Sequence, residues 1–548
     1  MLSRPSSSHG QSVMPSVAPR TVASRASTSC GMTRRGVLLG ATAVALGGLF
    51  SGCAAGNRSP DTGSTTAAAT AEAVTLDAQY RGAILTVQVG PAASYGGYTV
   101  VRLRIATDSQ KMMDLAGVFA SPKDSLAMTQ IYMLSLARDQ AYLELTLKSA
   151  VGRYGVAQGK PLDLFPVFGA VDPDVREVEV FLPNLGVALG VPVVSSEEVD
   201  FPVTEIIDDA GLTNQYPLQT DPFAIGSLAI AGDGSSDTAV LNGQTTVTLL
   251  SDLLFSDDST AEPELSERAD DMLAAVVKQL ASFPSGGTVS VCGHETEHNY
   301  DGDVEGGEAE AQAVADRLAD LADLEHWEVS IEGGDYRTPR LDRHSSLGTW
   351  LYDEEFAHIN RRVEVVLVPN DPTEGDTSDA AVGDAEPQAT GPVANGAQGV
   401  TVTVGEWGKL TLSMERVIRV DGFLVGTVML GVEEALGVNV YPKGAFLLPD
   451  TAQGAHWGDC LNYACNLTLL NGSVRQLPAE YWKTGGGNDY VPLTNYMSDD
   501  VLPADLVQIP VIWPDVGGDT VTLDLPGGAN CEGEAITARL TDIPVVEA

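Results

Sequence analysis

The stretch His294-Glu295-Thr296-Glu297-His298 concentrates more potential chemistry than any other in this sequence. Its spacing is HExxH, in which two His one helical turn apart hold Zn²⁺ and the Glu acts as general base. That chemistry requires a helix. Here the word follows directly on a strand-like run, Thr288-Val289-Ser290-Val291-Cys292, and a single Gly. Asn299-Tyr300-Asp301-Gly302-Asp303 behind it favours a loop. A zinc hydrolase through His294, Glu295 and His298 is therefore the most distant of the functions considered. The same stretch is densely acidic, with seven Asp and Glu between His294 and Glu310 and no Lys or Arg. Asp301, Asp303, Glu305 and Gly306 imitate the opening of a calcium loop, but position twelve is Gln312 instead of the bidentate Glu. A solvated charge run is the plain reading. The functional one is a site for a cation, either Ca²⁺ or a free amine, because crowded like charges favour a counter-ion. No other cofactor is expected.

The elements that position these residues run from about Gln244 to Pro369. Thr245-Thr246-Val247-Thr248-Leu249-Leu250 reads as a strand, ending in Leu253-Leu254-Phe255. Leu265, Ala269, Met272, Val276 and Leu280 recur at helical spacing and share one face. The strand closed by Gly293 follows, then a helix with Ala311, Val314, Leu318 and Leu321 on one stripe. A strand around Trp327–Ile331 and a long loop lead to Asn360-Arg361-Arg362-Val363-Glu364-Val365-Val366-Leu367-Val368.

That order, with Leu253-Leu254-Phe255 before a helix, Val291-Cys292-Gly293-His294, Ala311-Gln312-Ala313-Val314, Gly334-Asp335 ahead of Pro339, and Asn360-Arg361-Arg362-Val363-Glu364, resembles the OmpA/MotB-type C-terminal domain. The resemblance spans residues 244–369. It implies an α/β sandwich that holds peptidoglycan non-covalently, an Asp taking the ammonium of a diaminopimelate side chain and an Arg its carboxylate. The chain departs from this pattern on both sides. The family's Thr-Asp word stands as Glu295-Thr296-Glu297, so either Glu would do the work of the Asp. The ligand Arg should fall just before Ala311, where the sequence has Glu310. Hydrogen bonds to charged groups contribute roughly 1.5–3 kcal/mol, so losing that set lowers affinity about ten- to a hundredfold. His294, Glu295, Glu297, Glu310, Arg361 and Arg362 form the expected ligand-binding set, with Arg361 and Arg362 equally readable as partners of the acidic surface.

At the N-terminus, residues 1–52 carry five Arg and no acid. Arg34 and Arg35 precede an apolar run of 15 residues, short of a membrane span, in the form of a twin-arginine export signal. It closes on Phe50-Ser51-Gly52-Cys53, which is similar to a bacterial lipobox with Phe where Leu is usual. Cys53 would then be the lipidated residue, and two acyl chains anchor stably where one does not. An ordinary signal peptide with a chance Cys is the alternative.

The chain has a formal net charge of −43, or −48 once residues 1–52 are removed. Nucleic-acid phosphates would be repelled, so that class of partner is excluded. Residues 53–73 read as a flexible tether, 206–243 as a linker and 370–398 as a disordered linker. Residues 74–205 and 399–548 alternate apolar and polar residues between Gly and Pro and are expected to be immunoglobulin-like β-sandwiches. The predicted fold is thus multidomain α+β: an OmpA-like α/β sandwich flanked by two immunoglobulin-like β-sandwich domains. Among Cys460, Cys465 and Cys531 one disulfide to Cys531 is expected outside the cytoplasm. The leading function is a non-catalytic, lipid-anchored protein on the extracytoplasmic face of the cell membrane that tethers membrane to peptidoglycan. The runner-up is an adhesion or assembly scaffold whose sandwiches bind protein partners.

Overall fold

The computed structural model describes residues 72–119, 128, 130–148, 154–212, 219–256, 263–294, 304–334, 360–372, 385–404, 408–435, 446, 463–482, 490–497, 506–530 and 533–548. Strands dominate and helices are few. Arg34, Arg35, Cys53, Glu295, Glu297, His298, Asp301 and Asp303 lie outside the described residues.

In the N-terminal part, Val74–Tyr80 (β1), Ala83–Tyr95 (β2) and Tyr98–Thr107 (β3) pair antiparallel. Arg81 and Gly82 join the first two at φ +47° and +75°, the left-handed backbone that a two-residue hairpin turn demands. Tyr132–Ser135 (β4), Gln140–Leu143 (β5), Glu177–Leu182 (β6) and Gly186–Ser195 (β7) pair as β5–β4–β6–β7. The end of β7 crosses over to run parallel to β2. Leu85, Val87 and Val89 of β2 alternate inward and meet Val178, Val180 and Leu182 of β6 in one core.

The segment expected as a linker over 206–243 instead contains Phe223–Ala231 (β8) and Ser236–Leu241 (β9). These lead into Gln244–Leu250 (β10), Ala269–Ser282 (α1), Gly287–His294 (β11), Val304–Leu321 (α2), Trp327–Gly334 (β12) and Arg362–Pro369 (β13). The sheet order is β8–β9–β10–β13–β11–β12, with β11 and β12 parallel and β13 antiparallel to both its neighbours. Val247, Leu249, Val289, Val291, Val363 and Val365 face Met272, Val276, Val314 and Leu318 of the two helices. The helical spacing seen in the sequence is the buried face of each helix.

Beyond it come Val393–Asn395 (β14), Val417–Val420 (β15), Phe423–Ala435 (β16), Val474–Gln476 (β17), Glu480–Trp482 (β18), Leu506–Pro514 (β19), Thr520–Asn530 (β20) and Gly533–Glu547 (β21). β14 lies within the stretch expected to be disordered and pairs with β21. β16 bridges β15 and β19, β20 pairs with β21, and the end of β21 runs parallel to β15.

The two β units do not sit apart on linkers. β8 changes partner along its length, meeting β5 at Phe223, β18 at Ile225, β9 at Ser227 and β17 at Ala229. Around it Tyr132, Leu134 and Phe181 of the N-terminal unit pack with Phe423, Val425, Tyr481 and Ile512 of the C-terminal one in a shared core. The reason is legible in β4 and β6. All four residues of β4 and the last five of β6 are buried, as in strands covered on both faces. Cys465 is buried in that shared core, while Cys460 and Cys531, the other two cysteines of the expected disulfide, lie outside the described residues.

A buried ion cluster fastens the middle unit to the C-terminal one. Asp524, 2% exposed, receives Arg475 Nε at 2.8 Å on one oxygen and Arg539 Nε at 2.8 Å on the other. Arg475 also donates to the Gly232 carbonyl after β8, and Arg539 to the Pro387 carbonyl.

Candidate functional site

The predicted site residues that are described gather where β10 and β11 end and β13 begins. Gly293 and Gly307 explain how α2 reaches this rim. A Cβ on Gly293 would lie 2.0 Å from the Gly307 carbonyl oxygen, so the helix start touches the strand backbone directly. That contact brings Glu310, in the second turn of α2, over the end of β10. There Ser251 Oγ is 2.9 Å from Glu310 Oε2 and donates to it, since an ionised carboxylate only accepts. The Ser251 backbone N–H donates to the Arg361 carbonyl at 3.0 Å, tying the start of β13 to the end of β10.

Arg361 grips Asp252 through two parallel bonds of 2.7 Å, Nε to Oδ1 and Nη2 to Oδ2. Both side chains are about one-third exposed, at 34% and 35%. Solvent screening limits the worth of such a pair to about 0–1 kcal/mol. Arg361→Ala is therefore expected to lower unfolding free energy by less than about 1 kcal/mol, measured by urea denaturation.

Arg362 behaves differently because strand alternation turns it to the sheet face opposite the helices. Val363 and Val365 point into the helical core, while Arg362 and Glu364 share the other face with Cys292 and His294 of β11. Arg362 is 4% exposed. Its Nε donates to Glu364 Oε1 at 2.7 Å and its Nη1 to the Asn360 carbonyl at 3.1 Å. His294 Nε2 lies 3.3 Å from the other Glu364 oxygen. Burial alone would raise the Glu364 pKa, but the His294 hydrogen bond and the Arg362 charge outweigh it and hold it at about 2.

The expected six-residue ligand set is thus divided. Glu310 and Arg361 stand at the rim with Ser251 and Asp252. His294 and Arg362 are locked with Glu364 on the other face, as parts of the framework. His294 ends a strand, so the two-His-on-one-helix geometry of a zincin fails at its first member. Glu305 belongs to the first turn of α2 rather than to a loop. Among the described residues no group of three or more His, Cys, Asp or Glu is placed to hold a metal ion. No described helix is long and apolar enough to cross a membrane. Sequence reading passed over Ser251, Asp252 and Glu364. The available signal was the Arg362, Glu364 alternation, which puts both on one strand face.

No protein-family model matches this chain, nor does any curated protein. Among solved structures, the chain is similar to the cell wall anchor of the T6SS from Pseudomonas aeruginosa, at 23% identity over 23% of this chain and 82% of that one, TM-score 0.19. It is also similar to the periplasmic domain of Helicobacter pylori MotB, at 16% identity over 26% of this chain and 82% of that one, TM-score 0.20. A further MotB periplasmic domain aligns at 16% identity over 32% of this chain and 87% of that one, TM-score 0.21. At these scores the likeness does not extend to the chain as a whole, and the functional reading rests on the residues themselves.

Proposed function

We propose that this chain is a non-catalytic tether between membrane and cell wall, anchored through Cys53 and contacting peptidoglycan through a divergent OmpA-like unit. The observation that carries the reading is the rim of residues 244–369. Asn360-Arg361-Arg362-Val363-Glu364 enters the sheet between β10 and β11, and Glu310 stands on α2 where the family resemblance calls for an Arg. Arg361 and Asp252 pair with each other, and the Glu310 carboxylate, which accepts from Ser251 Oγ, stands beside them. Such a rim favours the ammonium end of a wall peptide and repels a carboxylate beside it. Export by the Arg34-Arg35 signal and the lipobox ending in Cys53 would place it outside the cytoplasmic membrane.

The test is co-sedimentation of the chain from Ala54 onward with purified peptidoglycan at low ionic strength, with and without Ca²⁺. Retention with the wall pellet is expected. Recovery of all the protein in the supernatant in both conditions overturns the reading.

A further inference from the structure

Glu179 is a buried acid that neither the rim nor the ion cluster uses. It lies on β6 between Val178 and Val180, which face the N-terminal core, and two residues before Phe181, which faces the shared one. It is 5% exposed, and one of its oxygens accepts the Leu136 backbone N–H at 3.1 Å. Its carboxyl borders a cavity of about 540 Å³ on the seam between the two β units. Arg138, Asp174, Arg176 and Glu177 line that cavity from the N-terminal side, and Asp421, with Val420 and Ala548, from the C-terminal side. Arg138 is engaged by Asp172 at 2.8 Å and by Asp174. Among the described residues no Lys or Arg forms an ion pair with Glu179. Asp421 sits in the tight Asp421-Gly422 turn between β15 and β16, at φ +47°. An ionised Glu179 therefore shares this cavity with the like charge of Asp421 across the seam.

We propose that Glu179 and Asp421 make the seam between the two β units sensitive to pH, closed when the Glu179 carboxyl is neutral and loosened when it is charged. The electrostatics follow the geometry: burial outweighs the Leu136 hydrogen bond and, with smaller contributions from the charges of Asp421 and Glu177, pushes Glu179 up to about 7. A folded pKa above the unfolded one gives stability that is complete below about 4.5 and is lost as pH rises through about 7.

The experiment is hydrogen exchange of the Leu136 amide between pH 5 and 8, corrected for the intrinsic pH dependence of exchange. Protection in the wild type should fall by up to about tenfold per pH unit between pH 5 and 7. Glu179→Gln, which cannot ionise, should give a flat profile. Asp421→Asn, on an exposed turn that tolerates Asn, should move the midpoint to lower pH by removing the opposing charge. Flat protection in the wild type overturns the proposal. So does an unchanged profile in Glu179→Gln, or an unmoved midpoint in Asp421→Asn.

Discussion

Asp524→Ala should destabilise the folded chain by about 3–5 kcal/mol, the range for removing one member of a buried ion group. The side chain it removes is 2% exposed and is the shared acceptor of Arg475 and Arg539. Deleting it takes the carboxylate acceptor from both Nε donors, with Glu386, 3.6 Å from Arg539 and half exposed, a weaker counter-charge. The attachments they make would loosen together, since Arg475 holds the Gly232 carbonyl and Arg539 the Pro387 carbonyl. Those are the contacts that fasten the turn after β8 and the segment before β14 to the C-terminal unit. Asp524→Asn keeps one carbonyl acceptor and should fall between wild type and Asp524→Ala. Urea unfolding followed by tryptophan fluorescence measures both. A loss below about 1 kcal/mol for Asp524→Ala would mean that the cluster is solvated like a surface pair.

Glu364→Ala is expected to lose about 3 kcal/mol near neutral pH. Arg362, its partner, has a side chain 5% exposed, and a buried charge without its counter-charge is strongly disfavoured. The pH dependence gives an independent handle. The Glu364 carboxyl is held at about 2 against an ordinary value of 4.5. A depressed folded pKa contributes stability that is present above about 4.5 and is lost as pH falls through about 2. The gap between wild type and Glu364→Ala should therefore be widest at pH 6 and mostly closed at pH 2. A gap of constant size across that range would assign the loss to packing instead of charge. The direction is opposite to that at Glu179, where stability is lost on going up in pH.

Local chemistry was readable from the sequence wherever one face of an element is wet. The stripe Ala269, Met272, Val276, Leu280 marks the buried side of α1, and Val363, Val365, Leu367 the buried side of β13. Alternation fails where both faces are covered. Tyr132-Met133-Leu134-Ser135 is buried throughout, and a continuous apolar run does not say which neighbour covers its second face. For that reason the sequence predicts two separate sandwiches flanking the 244–369 unit, where the chain forms a shared core threaded by β8. The stretch 206–243, expected as a linker, holds β8 and β9.

At the rim, Glu310 was legible because it stands where the family resemblance places an Arg. Its hydrogen bond with Ser251 was not, because 59 residues separate the two. Arg361 and Arg362 look equivalent in sequence. One residue of strand register separates a pair about one-third exposed from a buried one, and the pairing Arg362–His294 fixes which is which.

The sign of the charge at residue 310 sets how this rim meets the wall. Binding of the chain from Ala54 onward to purified diaminopimelate-type peptidoglycan, measured for wild type and Glu310→Arg, tests it most directly. Replacing a repelling carboxylate by a guanidinium should raise wall affinity by about ten- to a hundredfold. Equal or weaker binding by Glu310→Arg, with the variant folded as judged by an unchanged urea midpoint, would contradict the claim that this rim is the wall contact.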